Sequence, residues 1–360
     1  MNFLRFALFV GILGIATSFD LKELESLVFK LATDELYIKD FENHIKFVES
    51  IEPNYFNYTP FSLPEYTFNC DTSFMKSKET PSSVHALRPG DIQVVGALGD
   101  SLTAALGAGA KTVLGLLLEY RGRSWSAGGE SNLEKIVTMP NILRKFNPNL
   151  KGFTVAKDIS LLHKNGVGLN VAVSGQEANH IPEQARNLVK RMKEAKDFDY
   201  KNDWKLVNLF IGGNDLCDFC RTPDIHNPKA YVDYIRQGLD IIKAELPRTF
   251  VNLVLVLKVS DVKLLNRGLV CNVLHHFECP CGAFPTPQQE KELEEYINEY
   301  HELTQELVDS GRYDTSDDFT VVIQPFFRDF KAPRLPNNKI DYSFFAPDCF
   351  HFAPKGHGIK

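Results

Sequence analysis

The sequence predicts an α/β fold: a three-layer sandwich whose central, mostly parallel sheet of five strands is flanked by helices. Three observations carry this. Five short, continuous, β-branched apolar runs recur after Pro89: 92–98 (IQVVGAL), 169–173 (LNVAV), 206–211 (LVNLFI), 251–257 (VNLVLVL) and 319–323 (FTVVI). Such runs suit strands buried on both faces of a parallel sheet. Between them, apolar residues repeat at helical spacing, and three of the runs end directly in unusual polar residues.

Taken in order, the chain opens with MNFLRFALFVGILGIATSFD, where Arg5 precedes an apolar run from Phe6 to Ile15 and Ala16, Thr17 and Ser18 offer a cleavage site. That is the outline of a secretory signal peptide spanning 1–18, since the run is shorter than the ~20 residues of a bilayer span. Residues 19–88 are expected to form a helical and extended wrap: apolar positions from Leu21 to about Ile51 fall at helical spacing, and a segment rich in Pro, Tyr and Phe follows. Residues 89–360 then form the main domain. Within it, Tyr231, Ile235, Leu239, Ile242 and Leu246, and again Leu293, Ile297, Tyr300, Leu303 and Leu307, mark helices that lay one apolar stripe on the sheet. Strand and crossover helix in alternation place ligands beyond the carboxyl ends of the strands.

Composition narrows the function. The chain has 360 residues, is 44% hydrophobic and 24% charged, and has a net charge of −6 with a pI near 6.0. No basic footprint supports a nucleic-acid partner. No later stretch approaches spanning length, so no transmembrane anchor is expected in this chain, which ends at Lys360, nine residues after His351. Secretion implies disulfides among the seven cysteines, with one left over. Cys217-x-x-Cys220 is expected to be a structural bridge bracing the Asn214 loop. The group Cys271, His275, His276, Cys279 and Cys281 lacks the spacing of a structural zinc site, and no metal or other cofactor is expected. Asn57-Tyr58-Thr59 is an N-x-[ST] glycosylation sequon followed by Pro60. His180 and His301 fall in helical stretches and are expected at the surface; Trp125 and Phe153 are candidates for an acyl channel or for core.

The stretch ALGDSLTAALGAG, 97–109, poses a choice. A phosphate loop fails because Ala110, not glycine, precedes Lys111, and the dinucleotide pattern fails at Thr112. A strand-to-helix turn presenting Ser101 as a nucleophile fits better, provided that a base, an orienting carboxylate and oxyanion donors exist. Asp348 and His351, three apart in PDCFH, supply a carboxylate to fix the imidazole tautomer and a base to take the serine proton. Asn214 in GGND after the third run and the backbone N–H at Gly175 after the second are natural oxyanion donors beside the N–H of Ser101. Asp100 and Asp215 are expected to hold their loops by accepting backbone N–H groups.

The set Gly99-Asp100-Ser101-Leu102, Gly175, Gly213-Asn214-Asp215 and Asp348-x-x-His351, in this order, resembles the blocks of the GDSL or SGNH hydrolases. Longer stretches, among them VVGALGDSLTAALGA, RGRSWSAGGESNLEK, DWKLVNLFIGGNDLCDFC and DCFHFAPKGH, resemble animal phospholipase B over roughly 89–357. The resemblance implies the SGNH-type sandwich and a serine esterase with phospholipase A and lysophospholipase activity that needs no metal. It implies a phospholipid or lysophospholipid substrate met at a membrane or micelle surface. By position it gives Ser101 as nucleophile, Gly175 and Asn214 as oxyanion donors, Asp348 as the orienting carboxylate and His351 as base. Two alternatives stay open: an inactive secreted lipid- or glycan-binding protein on the same fold, and an esterase of short acyl groups on sugar.

Overall fold

The computed structural model describes residues 68–358 except 112 and 160–166. The expected signal peptide, the amino-terminal helices and the Asn57 sequon lie outside the described residues. Four parallel strands form the sheet: β1 (Val94–Gly99), β2 (Lys205–Phe210), β3 (Thr249–Val254) and β4 (Phe319–Gln324), in that spatial order. The register pairs Val94 with Lys205, Lys205 with Thr249, and Thr249 with Phe319.

Five strands were expected, and the difference lies at 169–173. This stretch runs beside β1 on the side away from β2, with Ala97 N–H donating to Leu169 C=O and Val171 N–H to Ala97 C=O, both at 2.9 Å, and Val173 N–H to Gly99 C=O at 3.2 Å, yet it makes only a single bridge to β1. The ladder is interrupted by the Gln184 side chain. Its Oε1 accepts the Gly99 N–H and its Nε2 donates to the Gly99 C=O, both at 2.8 Å, where a continuing parallel ladder would send the Gly99 N–H to residue 171.

The chain leaves β1 outward to 169–173 and returns past it to β2, so the winding reverses between β1 and β2. In open α/β sheets that switch point, at the carboxyl ends of the strands, is where ligands bind. The elements that reach it are short. Helix α1 (Ser101–Ala104) follows β1 directly, and α3 (Gly213–Asp218) follows β2 after a short turn.

Alternation along the strands builds two cores. Val94, Leu98, Val207, Leu209, Val251 and Leu253 face α2 (Ile181–Glu194), α4 (Pro228–Glu245) and α7 (Pro287–Asp309), meeting Leu188, Met192, Ile235, Leu239 and Ile297. On the other face Val95, Leu206, Phe210 and Val254 meet Trp204, Trp125 and Phe327. Trp125 is therefore core. His301, expected at the surface, is instead 5% exposed on the inner face of α7, with Nε2 bonded to the Val256 C=O at 2.8 Å. The Val256 carbonyl lies beyond β3, where no strand partner takes it, and the imidazole supplies the missing donor.

Among the described residues no helix is long and apolar enough to cross a membrane.

Candidate active site

β1 ends at Gly99 with φ +155°, and a Cβ there would lie 2.4 Å from both the Phe210 carbonyl oxygen and Thr103 Oγ1. Only glycine passes so close to β2 in this conformation. The turn is completed by Asp100, whose Oδ1 caps α1 by accepting the Leu102 N–H at 2.9 Å. Burial raises the Asp100 carboxyl to about 6, opposed by the Leu102 N–H and the nearby His351. Ser101, the first residue of α1, is 5% exposed.

The Asp348–His351 turn closes on Ser101 from above. Asp348 Oδ1 accepts the N–H groups of Phe350 and His351, each at 3.0 Å, which folds the turn about its own carboxylate. Asp348 Oδ2 takes His351 Nδ1 at 2.6 Å, and His351 Nε2 lies 2.8 Å from Ser101 Oγ. With Nδ1–H donated to Asp348, the Nε2 lone pair faces the Ser101 hydroxyl. Burial is the largest influence on Asp348 and works to raise it. The His351 charge, the His351 hydrogen bond and the two turn N–H groups together hold it below the ordinary carboxylate value.

Helix α5 (Gly268–Glu278) braces this turn. Cys271 is disulfide-bonded to Cys349, which has φ +61°, and His275 Nε2 bonds the Asp348 C=O at 3.0 Å. Three residues on, Glu278 has both carboxyl oxygens buried without a partner. Burial, then the proximity of Asp348, pushes it well above the usual carboxylate range.

On the opposite side stand the expected oxyanion donors. Asn214, in the first turn of α3, donates one Nδ2 hydrogen to the Gln176 C=O at 2.8 Å, leaving the second for the cavity. Gly175 has φ +78°, a left-handed turn that glycine adopts without strain. Asp215 holds the same region: both its oxygens accept the Ala178 N–H at 3.1 Å. Burial raises Asp215 to about 7, with Glu177 adding to the rise and His226 opposing it. Asp100 and Asp215 thus hold loops, as the sequence suggested.

Two cavities meet at Ser101 and Asn214. One is a narrow, mostly apolar slot of about 40 Å³ between Leu102, Val262, Leu265, Phe330, Ala332 and Phe352. The other is open and more polar, about 730 Å³, and reaches Ser174, Gly175, Glu177, Asp218, Arg221 and Glu278.

The cysteines pair as Cys217–Cys279, Cys220–Cys281 and Cys271–Cys349, leaving Cys70 free. Cys217 and Cys220 do not bridge each other, as the expected single bridge would have it; each reaches across to α6 (Pro280–Ala283) or its cap, so two bonds brace the Asn214 helix. The cluster weighed for zinc is thereby divided among disulfides. Among the described residues one group could offer ligand atoms to a cation, namely Glu278, Asp348 and His351, within 4.8 Å of one another. Asp348 and His351 already bond each other, so a cation there would compete with the turn. Glu278 was not singled out from sequence and His275 was weighed only within the zinc group; their placement on the face of α5 that carries Cys271 brings both to the site.

A parallel α/β sheet with a serine, a histidine and a carboxylate in hydrogen-bonded sequence at its switch point defines a class, and comparison with known proteins assigns the family. The chain belongs to the GDSL-like lipase/acylhydrolase family, whose model matches residues 95–359, and is a carboxylic ester hydrolase. It is similar to three mammalian proteins named "Phospholipase B1, membrane-associated". It is 47% identical to the human protein over 290 residues, covering 78% of this chain and 20% of that protein. It is 45% identical to the mouse protein over 289 residues (78% and 19%) and 44% identical to the rat protein over 288 residues (78% and 20%). The chain thus spans about a fifth of the length of these relatives.

Proposed function

We propose that this protein hydrolyses fatty-acyl esters of phospholipids and lysophospholipids through an acyl-enzyme on Ser101. The observation that carries the proposal is the continuous chain of bonds from Asp348 through His351 to Ser101 Oγ at the junction of the two cavities. In the first half-reaction Ser101 Oγ attacks the acyl carbonyl while His351 Nε2 takes its proton, and Asp348 stabilises the imidazolium so formed. The oxyanion is received by the N–H groups of Ser101 and Gly175 and the second Nδ2 hydrogen of Asn214. The tetrahedral intermediate collapses, His351 returns the proton to the departing alcohol, and that alcohol leaves. Water, deprotonated by His351, then attacks the acyl-serine; the second tetrahedral intermediate expels Ser101 Oγ, which takes the proton back from His351, and the fatty acid leaves.

The cavities suit an amphiphile divided at its ester. The apolar slot takes the acyl chain, and the polar cavity takes the glycerol and headgroup of the leaving alcohol. The names of the mammalian relatives favour a phospholipid. Three disulfides favour an oxidising compartment, consistent with secretion of the chain and encounter with lipid at a membrane or micelle surface.

The test compares fatty-acid release from phosphatidylcholine and lysophosphatidylcholine with hydrolysis of p-nitrophenyl acetate. The proposal expects both lipids to be cleaved with higher kcat/KM than the acetate, and expects Ser101→Ala to abolish all three activities. Turnover of the acetate alone would remove the phospholipid reading and leave the esterase. Full activity of Ser101→Ala would remove the mechanism.

A further inference from the structure

A fully buried ion pair lies beneath the Gly175 side of the site. Glu119 and Arg121 have side chains that are 0% exposed, with Arg121 Nη2 at 2.5 Å from Glu119 Oε2. Burying two charges costs several kcal/mol unless hydrogen bonds offset it; Arg121 Nε has no partner, while three of the bonds this pair makes reach the single stretch 170–174.

Residues 169, 171 and 173 turn their backbone groups toward β1, so Asn170 and Ala172 turn theirs outward, where a further strand would lie. Val167 bridges Asn170 on that side, exchanging N–H and C=O bonds at 2.9 and 3.1 Å, and Arg121 adds side-chain donors along the same edge. Its Nη1 donates to the Asn170 C=O at 3.2 Å and its Nη2 to the Ala172 C=O at 3.0 Å. Glu119 continues the line. Its Oε1 accepts the Ser174 hydroxyl at 2.6 Å, and the peptide that Ser174 forms with Gly175 carries the N–H assigned above to the oxyanion. The same assembly reaches the nucleophile's helix: Asn170 Nδ2 and Ser124 Oγ both donate to the Thr103 C=O, at 2.9 and 2.6 Å, two residues beyond Ser101.

We infer that Glu119 and Arg121 are positioning residues for oxyanion stabilisation, and that the Ser174 hydroxyl is the tether through which they fix the Ser174–Gly175 peptide. The inference rests on the reading of Ser101 as nucleophile and Gly175 as oxyanion donor. Its physical content is that a donor aimed before the reaction begins costs no reorganisation in the transition state. Loss of the tether keeps the fold and removes only one hydroxyl from the lining of the polar cavity, but lets this peptide turn.

The experiment uses Ser174→Ala, Ser174→Thr and Glu119→Gln beside the wild type, with a soluble short-chain ester and a fluorophosphonate, whose phosphonyl oxygen occupies the same donors. Ser174→Ala is expected to lower kcat by about tenfold to a hundredfold with KM essentially unchanged. The fluorophosphonate inactivation rate should fall in parallel and the acid limb of the kcat/KM profile should stay near wild type, while the Tm falls by a few degrees because Glu119 Oε1 loses its donor, so that kcat is compared at equal folded fraction. Ser174→Thr keeps a hydroxyl and should restore most of the rate. Glu119→Gln keeps an acceptor but strands the Arg121 charge, and should lower both kcat and Tm. Wild-type kcat in Ser174→Ala, a loss expressed only in KM, or a loss that threonine does not restore would each overturn the inference. If the wild type itself reacted with no fluorophosphonate, the underlying reading of Ser101 would fall first; normal wild-type labelling matched by the variants would sink the positioning role alone.

Discussion

Replacing Asn214 by alanine isolates one of the proposed oxyanion donors. The Asn214 amide is anchored through one Nδ2 hydrogen at 2.8 Å from the Gln176 carbonyl, so its second hydrogen is aimed before substrate arrives. Alanine removes both hydrogens and leaves the Gln176 carbonyl to solvent in the polar cavity, with little change to the core. A prealigned donor of this kind contributes about 3 to 4 kcal/mol to the transition state, so kcat on a soluble ester should fall by about 10² to 10³. KM should change little, because the ground-state carbonyl does not carry the charge that the amide receives. Asn214→Asp, nearly isosteric, should be at least as damaging, since it replaces both hydrogens by an acceptor facing the Gln176 carbonyl. Steady-state kinetics over the full substrate range, with circular dichroism to confirm folding, decides the matter. A kcat within about threefold of wild type in Asn214→Ala would refute the reasoning.

Three further outcomes are expected. Asp215, raised to about 7 by burial, binds its proton more tightly in the folded protein than in the unfolded chain, so its contribution to stability is present at low pH and lost as pH rises from about 4 through 7. The loss is on the order of 4 kcal/mol, and Asp215→Asn should flatten urea-unfolding stability across that window; a slope identical to wild type would contradict this. Removing the Cys271–Cys349 bond by a double alanine substitution should lower unfolding free energy by on the order of 3 kcal/mol and reduce kcat more than a stabilising buffer restores, because it releases the turn that holds Asp348. Equal kcat at equal folded fraction would show the bond to be structural only. Ala332→Leu, which pushes a larger side chain into the apolar slot, should lower kcat/KM for a sixteen-carbon acyl ester by at least about tenfold relative to a butyrate ester; an unchanged ratio would place the acyl chain elsewhere.

Much of the arrangement was legible because it is written in local sequence. Gly99-Asp100-Ser101 ends a buried apolar run, Asp348 and His351 sit within one turn, and both can be read from neighbours along the chain. What escaped depended on pairing across distance. The runs 206–211 and 251–257 read as apolar strands, yet Asn208 and Asn252 fall opposite each other in register and form an amide ladder, Asn252 Nδ2 to Asn208 Oδ1 at 2.9 Å, continued from Gln324 Nε2 to Asn252 Oδ1 at 2.8 Å. No single segment reveals that ladder. The fifth strand was lost to one glutamine from α2, 85 residues beyond Gly99, and His301 was misplaced because periodicity marks a helix's apolar stripe but not which polar residue beside it meets an orphan carbonyl. The disulfides depended on the packing of α3 against α6 and of α5 against the Asp348 turn, which cysteine spacing does not encode.

The proposed mechanism stands or falls with Ser101 as a nucleophile activated by His351. The most direct measurement is intact-mass and peptide mapping of the protein after reaction with a fluorophosphonate. A single covalent adduct is expected, on Ser101, formed at a rate that drops by orders of magnitude in His351→Ala and Asp348→Asn while both variants remain folded. An adduct on another residue, or labelling of Ser101 at an undiminished rate without His351, would contradict it.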